Sequence, residues 1–223
     1  MRRLFYLLIF YFKLFILSIY SLSNNSSNMS MNKRRAQKEQ TRAAIVKAAQ
    51  SLFAQQGFLN VNTVAIAGKA KISHGSIFAH FHSRDELISA VIERFGHIVV
   101  QRMHDLAEAG GSLQAMLRAH LQCLEENELF YSHLIRDLYG LPPQARLHVI
   151  AIQSGISYHI FKAAETEVRN GKIKPIAPDL LFNTWIGLIH HYLINRELFI
   201  TGGSIIKTYG KKLIGHFINL ITI

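Results

Sequence analysis

Small and polar side chains between Thr63 and Arg84 have the chemistry needed to contact a charged, hydrogen-bonding surface. His74, Gly75 and Ser76 combine hydrogen-bonding groups with little bulk, so the backbone that carries them can approach a partner closely. Hydroxyl, imidazole and guanidinium groups that can hold phosphates flank them at Thr63, His80 and Arg84. Together these residue types point to recognition of base edges and phosphates in double-stranded DNA.

The elements that must position these side chains are two short helices joined by a tight turn, predicted over residues 61–81. Asn62 and Thr63 have side-chain oxygens that can cap the first helix, and Ser73 can cap the second. Two such helices form a helix-turn-helix, whose second helix fits the major groove. In the first helix, Val64, Ala67 and Ala70 share one face at three-residue spacing, and in the second Ile77 and Phe81 are predicted to face inward.

Helices are also predicted on both sides of this pair. Upstream, an apolar stripe predicts a helix that Gly57 ends, because a residue without Cβ adopts the left-handed conformation easily. Downstream, Ser83 and Glu86 have the spacing of a capping box at the start of another helix. The stripe consists of Ile45, Ala48, Ala49, Leu52 and Phe53.

This order of helices resembles the tetracycline-repressor-like (TetR/AcrR) family of transcription regulators over roughly residues 41–93. The resemblance rests on the upstream helix, the Gly57-Phe58 and Ile66-Ala67 pairs, and residues 72–78 and 81–87. It implies an all-α fold, with an N-terminal three-helix helix-turn-helix DNA-binding domain and a C-terminal helical bundle for ligand binding and dimerisation. The predicted DNA-binding residues are Arg42, Thr63, His74, Gly75, Ser76, Phe78, His80 and Arg84.

Two positions depart from the family's pattern. Lys71 stands in the turn where the family usually has Gly, so a positive φ there would cost about 1 kcal/mol. Phe78 replaces the family's usual Tyr and lacks the hydroxyl that would donate to a phosphate. Neither change is expected to prevent the fold.

The distribution of charge favours polyanion binding by the same segment. The formal net charge is +11, and residues 31–82 hold eight Lys and Arg against one acid, Glu39. Residues 83–223, in contrast, hold fourteen basic against thirteen acidic residues. A basic patch is usually only a solvated face, but here it coincides with the predicted helix-turn-helix. Residues 32–42 form a basic arm that is either solvated or adds phosphate and minor-groove contacts.

The first residues form an apolar run with basic residues at its start. Residues 1–31 contain no Ala, Gly, Val, Asp or Glu, the amino acids whose codons begin with G, as expected if upstream DNA were read as protein. We therefore predict that translation starts at Met29 or Met31 and that the protein is cytoplasmic; an uncleaved membrane anchor over residues 1–22 is the alternative. The predicted divisions are residues 1–31 (extension), 32–93 (DNA-binding) and 94–223 (ligand-binding and dimerisation).

Helices are predicted through the rest of the chain, separated by Gly and Pro. The last two helices begin at Pro178 and Ser204 and are apolar on more than one side. Each must therefore be buried on two sides. A homodimer interface explains this, and the resemblance implies dimerisation through these two helices.

The surplus of helix beyond residue 94 predicts a cavity for an unknown small apolar or aromatic ligand, since bundles bind ligands between helices. An enzyme is the third and least favoured hypothesis. Gly155-Ile156-Ser157-Tyr158-His159 lacks the final Gly and the strand of a nucleophile elbow, and the twelve histidines lack the i, i+4 spacing of metal ligands. No cofactor or metal is predicted. The candidate pocket residues are Met103, His120, Tyr131, His133, Gln153, Ser157 and Trp185.

Overall fold

The computed structural model describes residues 29–223, with side chains from residue 33 onward. The membrane anchor considered for residues 1–22, and the predicted extension over most of residues 1–31, therefore lie outside the described residues. The described chain is helical and has no strands, which confirms the predicted all-α fold. Its α-helices are α1 (Met29–Gln56), α2 (Thr63–Ala70), α3 (His74–Phe78), α4 (Arg84–Glu108), α5 (Leu113–Glu126), α6 (Glu128–Asp137), α7 (Pro143–Arg169), α8 (Pro178–Ile194) and α9 (Ile205–Ile221).

The first three helices share a small apolar core. Phe53 at the end of α1 stacks on Phe58 with ring centroids 4.6 Å apart, and Ile66, Ile77 and Phe81 are fully buried. Gly57 has a φ of 82° after the end of α1, as its position in the sequence predicted. The basic arm predicted at residues 32–42 belongs to α1, which already begins at Met29 and is exposed over residues 33–40.

Helix α4 connects this unit to the rest of the molecule. It begins at Arg84 and runs without a break to Glu108, so the predicted boundary at residue 93 falls inside a helix. Gly96 lets α4 pack tightly against α7, because a Cβ built at Gly96 would lie only 2.2 Å from Cγ1 of Ile152. The backbone of α4 at Gly96 is therefore in direct contact with the Ile152 side chain of α7.

The remaining helices form the bundle, with α5, α6 and α7 packed against α8 and α9. Its core includes Met103, Leu117, Trp185, Ile189 and Phe217, which are at most 1% exposed. Within residues 29–223, no helix is both long enough and apolar enough to cross a membrane.

Candidate nucleic-acid interface

Helix α2 begins at the N-cap that the sequence predicted, Asn62, and its buried side consists of Ile66 and Ala67. The side-chain oxygen of Asn62 accepts a hydrogen bond from the backbone N–H of Ala65 at 2.9 Å. Thr63 is the first residue inside the helix and not a second cap. Ile66 and Ala67 are buried, whereas Val64, predicted on the same face as Ala67, is 61% exposed. A helix of only two turns buries a narrow stripe, and Val64 lies outside it.

The turn after α2 is a left-handed one at Lys71, with φ of 57° and ψ of 45°. The N–H of Ile72 donates to the carbonyl of Ala67 at 3.1 Å, which closes the turn in the manner of a Schellman motif. The strained conformation anticipated for Lys71 is therefore present. It directs the chain from α2 into α3 within three residues, 71–73.

Helix α3 presents its outer side to solvent. Ser73 accepts from the N–H of Ser76 at 3.2 Å, and the hydroxyls of the two residues lie 2.7 Å apart. Nε2 of His74 lies 2.9 Å from Oγ1 of Thr63, and its ring meets Phe78 edge-on with centroids 5.3 Å apart. Phe78 is 46% exposed. The outer side of α3 is thus a small polar surface bordered by one exposed aromatic ring.

Three of the residues predicted to contact DNA either make contacts within the DNA-binding unit or are partly buried in it. The guanidinium of Arg42 lies 4.4 Å above the ring of Phe81, a cation–π contact. Nε of Arg84 donates to the carbonyl of Val61 at 3.0 Å and its Nη2 donates to the carbonyl of Phe58. His80 is half-buried, and its Nδ1 has no hydrogen-bond partner among the described residues. The phosphate contact predicted for Arg84 thus meets a competing structural role and stays a prediction.

The segment that contains α3 carries a strong excess of positive charge. Seven exposed cations lie on α1, on α2 and in the turn, and within the described residues none of them forms an ion pair. Such a surface attracts a polyanion at long range. The seven exposed cations are Lys33, Arg34, Arg35, Lys38, Lys47, Lys69 and Lys71.

The same unit is joined to the bundle by the loop after α1. The carboxylate of Asp137, at the end of α6, accepts from the N–H of Phe58 at 2.7 Å. Arg84 donates to the carbonyl of that same Phe58, so one residue connects the bundle and the start of α4. A Cβ at Gly57 would lie 3.1 Å from Nδ1 of His133. His133, predicted as a pocket residue, therefore lies at the junction between the two parts.

The other predicted pocket residues lie in or beside the bundle core. Nε1 of Trp185 donates to Nδ1 of His120 at 3.0 Å. The hydroxyl of Tyr131 lies 2.8 Å from Nε2 of His190, and the side chain of Gln153 lies close enough to act on the pKa of that hydroxyl. Met103 is fully buried and Ser157 is half-buried. The structure thus brings His120 together with Trp185, and Tyr131 together with Gln153.

Burial shifts the ionisation of this group. It lowers the pKa of His120 to about 3 and that of His190 to about 4, because a charged imidazolium loses its hydration inside the bundle. It also raises the pKa of the Tyr131 hydroxyl. Sequence reasoning missed His190, since two adjacent histidines on a helix point in different directions. Only the packing shows that one of them faces the core.

Two surface clefts lie away from these residues. One of about 450 Å³ is lined by the ends of α4 and α7 and the start of α5, and includes Ser112, Lys162 and Arg169. The other, of about 410 Å³, lies between α1, α4 and α7 and includes Arg42, Glu93 and His148. Neither cleft is lined by any of the seven predicted pocket residues.

Helix α8 has an unpaired side in the single chain. Positions separated alternately by four and three residues are exposed or half-buried along it and just beyond its end. The largest side chains among them are apolar, with Leu180 60%, Ile194 37% and Leu198 78% exposed. The set is Leu180, Thr184, Gly187, His191, Ile194 and Leu198.

A helix-turn-helix at one end of an all-α molecule, followed by a linking helix and a helical bundle, defines a class of two-part helical DNA-binding proteins. Residues 45–91 match the family model described as bacterial regulatory proteins, tetR family. The chain thus carries the N-terminal domain of the tetR family, and its described residues have the fold of solved structures from that family.

Curated relatives match mainly through this N-terminal domain. An HTH-type transcriptional repressor of Mycobacterium tuberculosis is 36% identical over 72 residues, which are 32% of this chain and 38% of the relative. The regulator YuxN of Bacillus subtilis is 29% identical over 91 residues, 41% of this chain and 31% of that protein. The chain therefore matches less than half the length of these relatives.

Solved structures match over most of both chains. A TetR-family regulator from Agrobacterium tumefaciens superposes with a TM-score of 0.70 at 15% identity, covering 83% of this chain and 100% of that one. FadR of Bacillus subtilis, solved in complex with stearoyl-CoA, gives 0.66 at 14% identity, covering 79% and 97%. At these identities the similarity establishes the fold alone.

Proposed function

We propose that the protein is a DNA-binding transcriptional regulator, acting in the cytoplasm as a repressor that a small molecule releases from a pseudo-palindromic operator. The observation that carries the proposal is the exposed outer side of α3 in a segment with seven exposed cations and a single acid. Phosphate neutralisation by such cations supplies the sequence-independent part of DNA affinity. The polar groups on α3 supply the sequence-dependent part.

Within this proposal, the predicted residues divide by their surroundings. His74, Gly75, Ser76 and Phe78 face base edges, because they form the outer side of α3. Thr63 supports the ring of His74 and shares its hydroxyl with a phosphate, and His80 lies at the following turn. Arg42 and Arg84 hold the unit's own structure through Phe81 and the Phe58 and Val61 carbonyls.

A homodimer follows from the unpaired side of α8. Its apolar residues at alternating spacing would be buried against a second copy, which is how two helices in a bundle pack. Two copies would place two α3 helices about one helical turn of DNA apart, ~34 Å or somewhat more. The operator would then be pseudo-palindromic.

Release by a ligand requires that the bundle and the DNA-binding unit move together. Asp137 and Arg84 both bond Phe58, so a shift of α6 or α4 is transmitted to the loop that carries α2. FadR, a structural neighbour, is solved with stearoyl-CoA, which supports a ligand in a bundle of this kind. An inducer that lowers DNA affinity tenfold must itself bind the DNA-bound dimer about tenfold more weakly.

The test starts from duplexes enriched by the protein from a randomised library, with affinity measured by fluorescence anisotropy at several salt concentrations. Lys69→Ala should reduce the slope of log affinity against log salt by about one, since one phosphate contact is lost. Lys172→Ala is the matched control, an exposed cation of the bundle, and should leave the slope unchanged. His74→Ala should reduce the preference for enriched over random duplexes.

Failure to enrich any sequence, or equal slopes for the two lysine variants, would count against the proposed function. Equal preference for enriched duplexes before and after His74→Ala would move base recognition away from α3. Sedimentation of Leu180→Glu, which places a charge on the unpaired side of α8, tests the dimer separately. A monomer is expected.

A further inference from the structure

Five polar side chains from four helices meet inside the bundle. His120 comes from α5, Tyr131 from α6, Gln153 from α7, and Trp185 and His190 from α8. Trp185 donates to His120, and Tyr131 bonds His190, while the side chain of Gln153 acts on the pKa of the Tyr131 hydroxyl; Gln153 and His190 are half-buried. His120 and Trp185 are 0% exposed and Tyr131 is 4% exposed. We name this set the buried polar cluster; a core that served packing alone would be built from apolar side chains.

Within the buried polar cluster, the hydrogen bonds fix where the proton of His120 lies. The indole N–H of Trp185 can only donate, so Nδ1 of His120 must accept and carries no proton. Burial lowers the pKa of His120 to about 3, so the ring is neutral near pH 7. A neutral imidazole has one N–H, and here it must be at Nε2.

That N–H is one of the buried polar groups of the bundle for which the described residues offer no partner; the hydroxyl of Ser132 is another. Nε2 of His120 is buried and has no hydrogen-bond partner among the described residues. A buried donor without an acceptor destabilises a fold by about 1–3 kcal/mol. Such groups are rare in proteins, and each needs a physical explanation, of which a bound acceptor is one. The ring centroid of Trp185 lies 6.4 Å from that of His120, and Phe217 packs against Trp185 with centroids 5.2 Å apart.

The surroundings also decide the charge of that acceptor. The ionisable side chain whose charge acts on His120 is His190, which burial keeps neutral by lowering its pKa to about 4. No Lys or Arg belongs to the cluster. A carboxylate placed there would be an unpaired buried charge, which is far more costly than a neutral carbonyl group.

We propose that the regulatory ligand is a small neutral aromatic compound whose carbonyl oxygen accepts a hydrogen bond from Nε2 of His120, with its ring packed beside Trp185 and Phe217. The regulatory role of the ligand rests on the proposed function; the binding site itself does not depend on DNA binding. Entry of the ligand separates α5 from α8 and α9, the helices that hold these three residues.

Trp185 is the single tryptophan of the chain, so the protein has one indole N–H signal in a ¹H–¹⁵N spectrum. That signal comes from the group bonded to His120 and reports on the site directly. The probes are acetophenone, which has a carbonyl acceptor, cumene, which has nearly the same shape without one, and benzoate, which is anionic. Titrations of each, followed at the indole signal of the full-length protein, give the dissociation constants.

We expect acetophenone to shift the indole signal saturably and benzoate to leave it unchanged. His120→Phe should lower the ratio of acetophenone to cumene affinity about tenfold, the effect of one hydrogen bond. His120→Gln, which returns an amide N–H to the region of Nε2, should recover part of that ratio and guards against a folding defect in the first variant. His216→Phe, on the exposed side of α9, should not alter the ratio.

The proposal is overturned if acetophenone does not shift the signal, if benzoate binds as tightly, or if His120→Phe leaves the affinity ratio unchanged. Adding acetophenone to the complex with an enriched duplex separates the two proposals. Binding at the indole signal without any DNA binding by the protein would retain the site and remove the regulatory function. DNA binding without a probe-dependent change in the indole signal would retain DNA binding and remove the ligand site.

Discussion

The helix-turn-helix unit and the bundle use polar groups in opposite ways. In the unit, the bonds of Asn62 to Ala65 and of Ser73 to Ser76 each join residues three apart at the exposed surface. In the bundle, Glu128 is 7% exposed and accepts from the N–H groups of Ile205 at 2.8 Å and Ile206 at 3.0 Å, across more than seventy residues. Local caps shape a surface for a partner, whereas buried long-range bonds determine how distant helices assemble.

The difference in burial has an energetic consequence. An exposed cap that is lost can be replaced by water, so its removal costs about 1 kcal/mol. A buried acceptor that is lost leaves its donors unpaired, and each costs about 1–3 kcal/mol. The following experiments compare equivalent groups in the two regions, beginning with the largest expected effect.

Glu128 and Asn62 both serve as acceptors for the first N–H groups of a helix, one buried and one exposed. Glu128→Ala should lower the free energy of unfolding by about 4 kcal/mol, because Ser204, Ile205 and Ile206 lose their acceptor. Asn62→Ala should lower it by about 1 kcal/mol. Chemical denaturation of both variants checks this, and equal losses would show that burial does not separate the two regions.

Acid should destabilise the bundle through its buried histidines. The pKa of His120 is about 3 and that of His190 about 4 in the folded protein, whereas both are near 6.5 when the chain unfolds. Below pH 6.5 the unfolded state therefore binds protons that the folded state does not. The free energy of unfolding falls as the pH drops, by up to about 1.4 kcal/mol per pH unit for each histidine.

Denaturation at pH 6.5 and pH 4.5 measures this effect. His120→Gln should lose less stability than the unmodified protein over that interval, by up to about 3 kcal/mol. His74→Gln, at the exposed surface of α3, is the control and should follow the unmodified protein. Parallel pH profiles for all three proteins would contradict a buried neutral His120.

Gly96 and Gly68 test how closely each region is packed. A Cβ at Gly96 meets Ile152 at 2.2 Å, so Gly96→Ala should destabilise the protein by about 2 kcal/mol through overpacking. A Cβ at Gly68 meets nothing within 4 Å, so Gly68→Ala should stabilise α2 by about 0.5–1 kcal/mol. Thermal unfolding decides the signs. Adding Ile152→Ala to Gly96→Ala should cost less than the sum of the single changes.

The smallest effect is expected at the turn between α2 and α3. Lys71→Gly should stabilise the unit by about 1 kcal/mol, because φ is 57° at this position and Gly adopts it without strain. Lys69→Gly, inside α2, should destabilise by a similar amount. Both changes remove one positive charge, so any difference between their unfolding curves arises from the backbone alone.

Sequence alone determined most features that depend on neighbouring residues. The end of α1 at Gly57 and the caps at Asn62, Ser73 and Ser83 were predictable, because they require particular side chains at fixed short spacing. The left-handed turn at Lys71 was anticipated only through the resemblance to the family, which usually has Gly at that position. The capping box was half right. Ser83 accepts from Glu86, but the Glu86 carboxylate bonds the N–H of His82 instead.

Tertiary structure decided which candidate side chains face a partner and which serve the fold. Val64 was predicted on one face with Ala67 but is exposed where Ala67 is buried, while Arg84, expected on a phosphate, bonds two backbone carbonyls. His133 was expected in the bundle core but lies beside Gly57, and His190 is the histidine that bonds Tyr131. Periodicity gives the direction of a side chain from its own helix; only the packing of the other helices determines what it meets there.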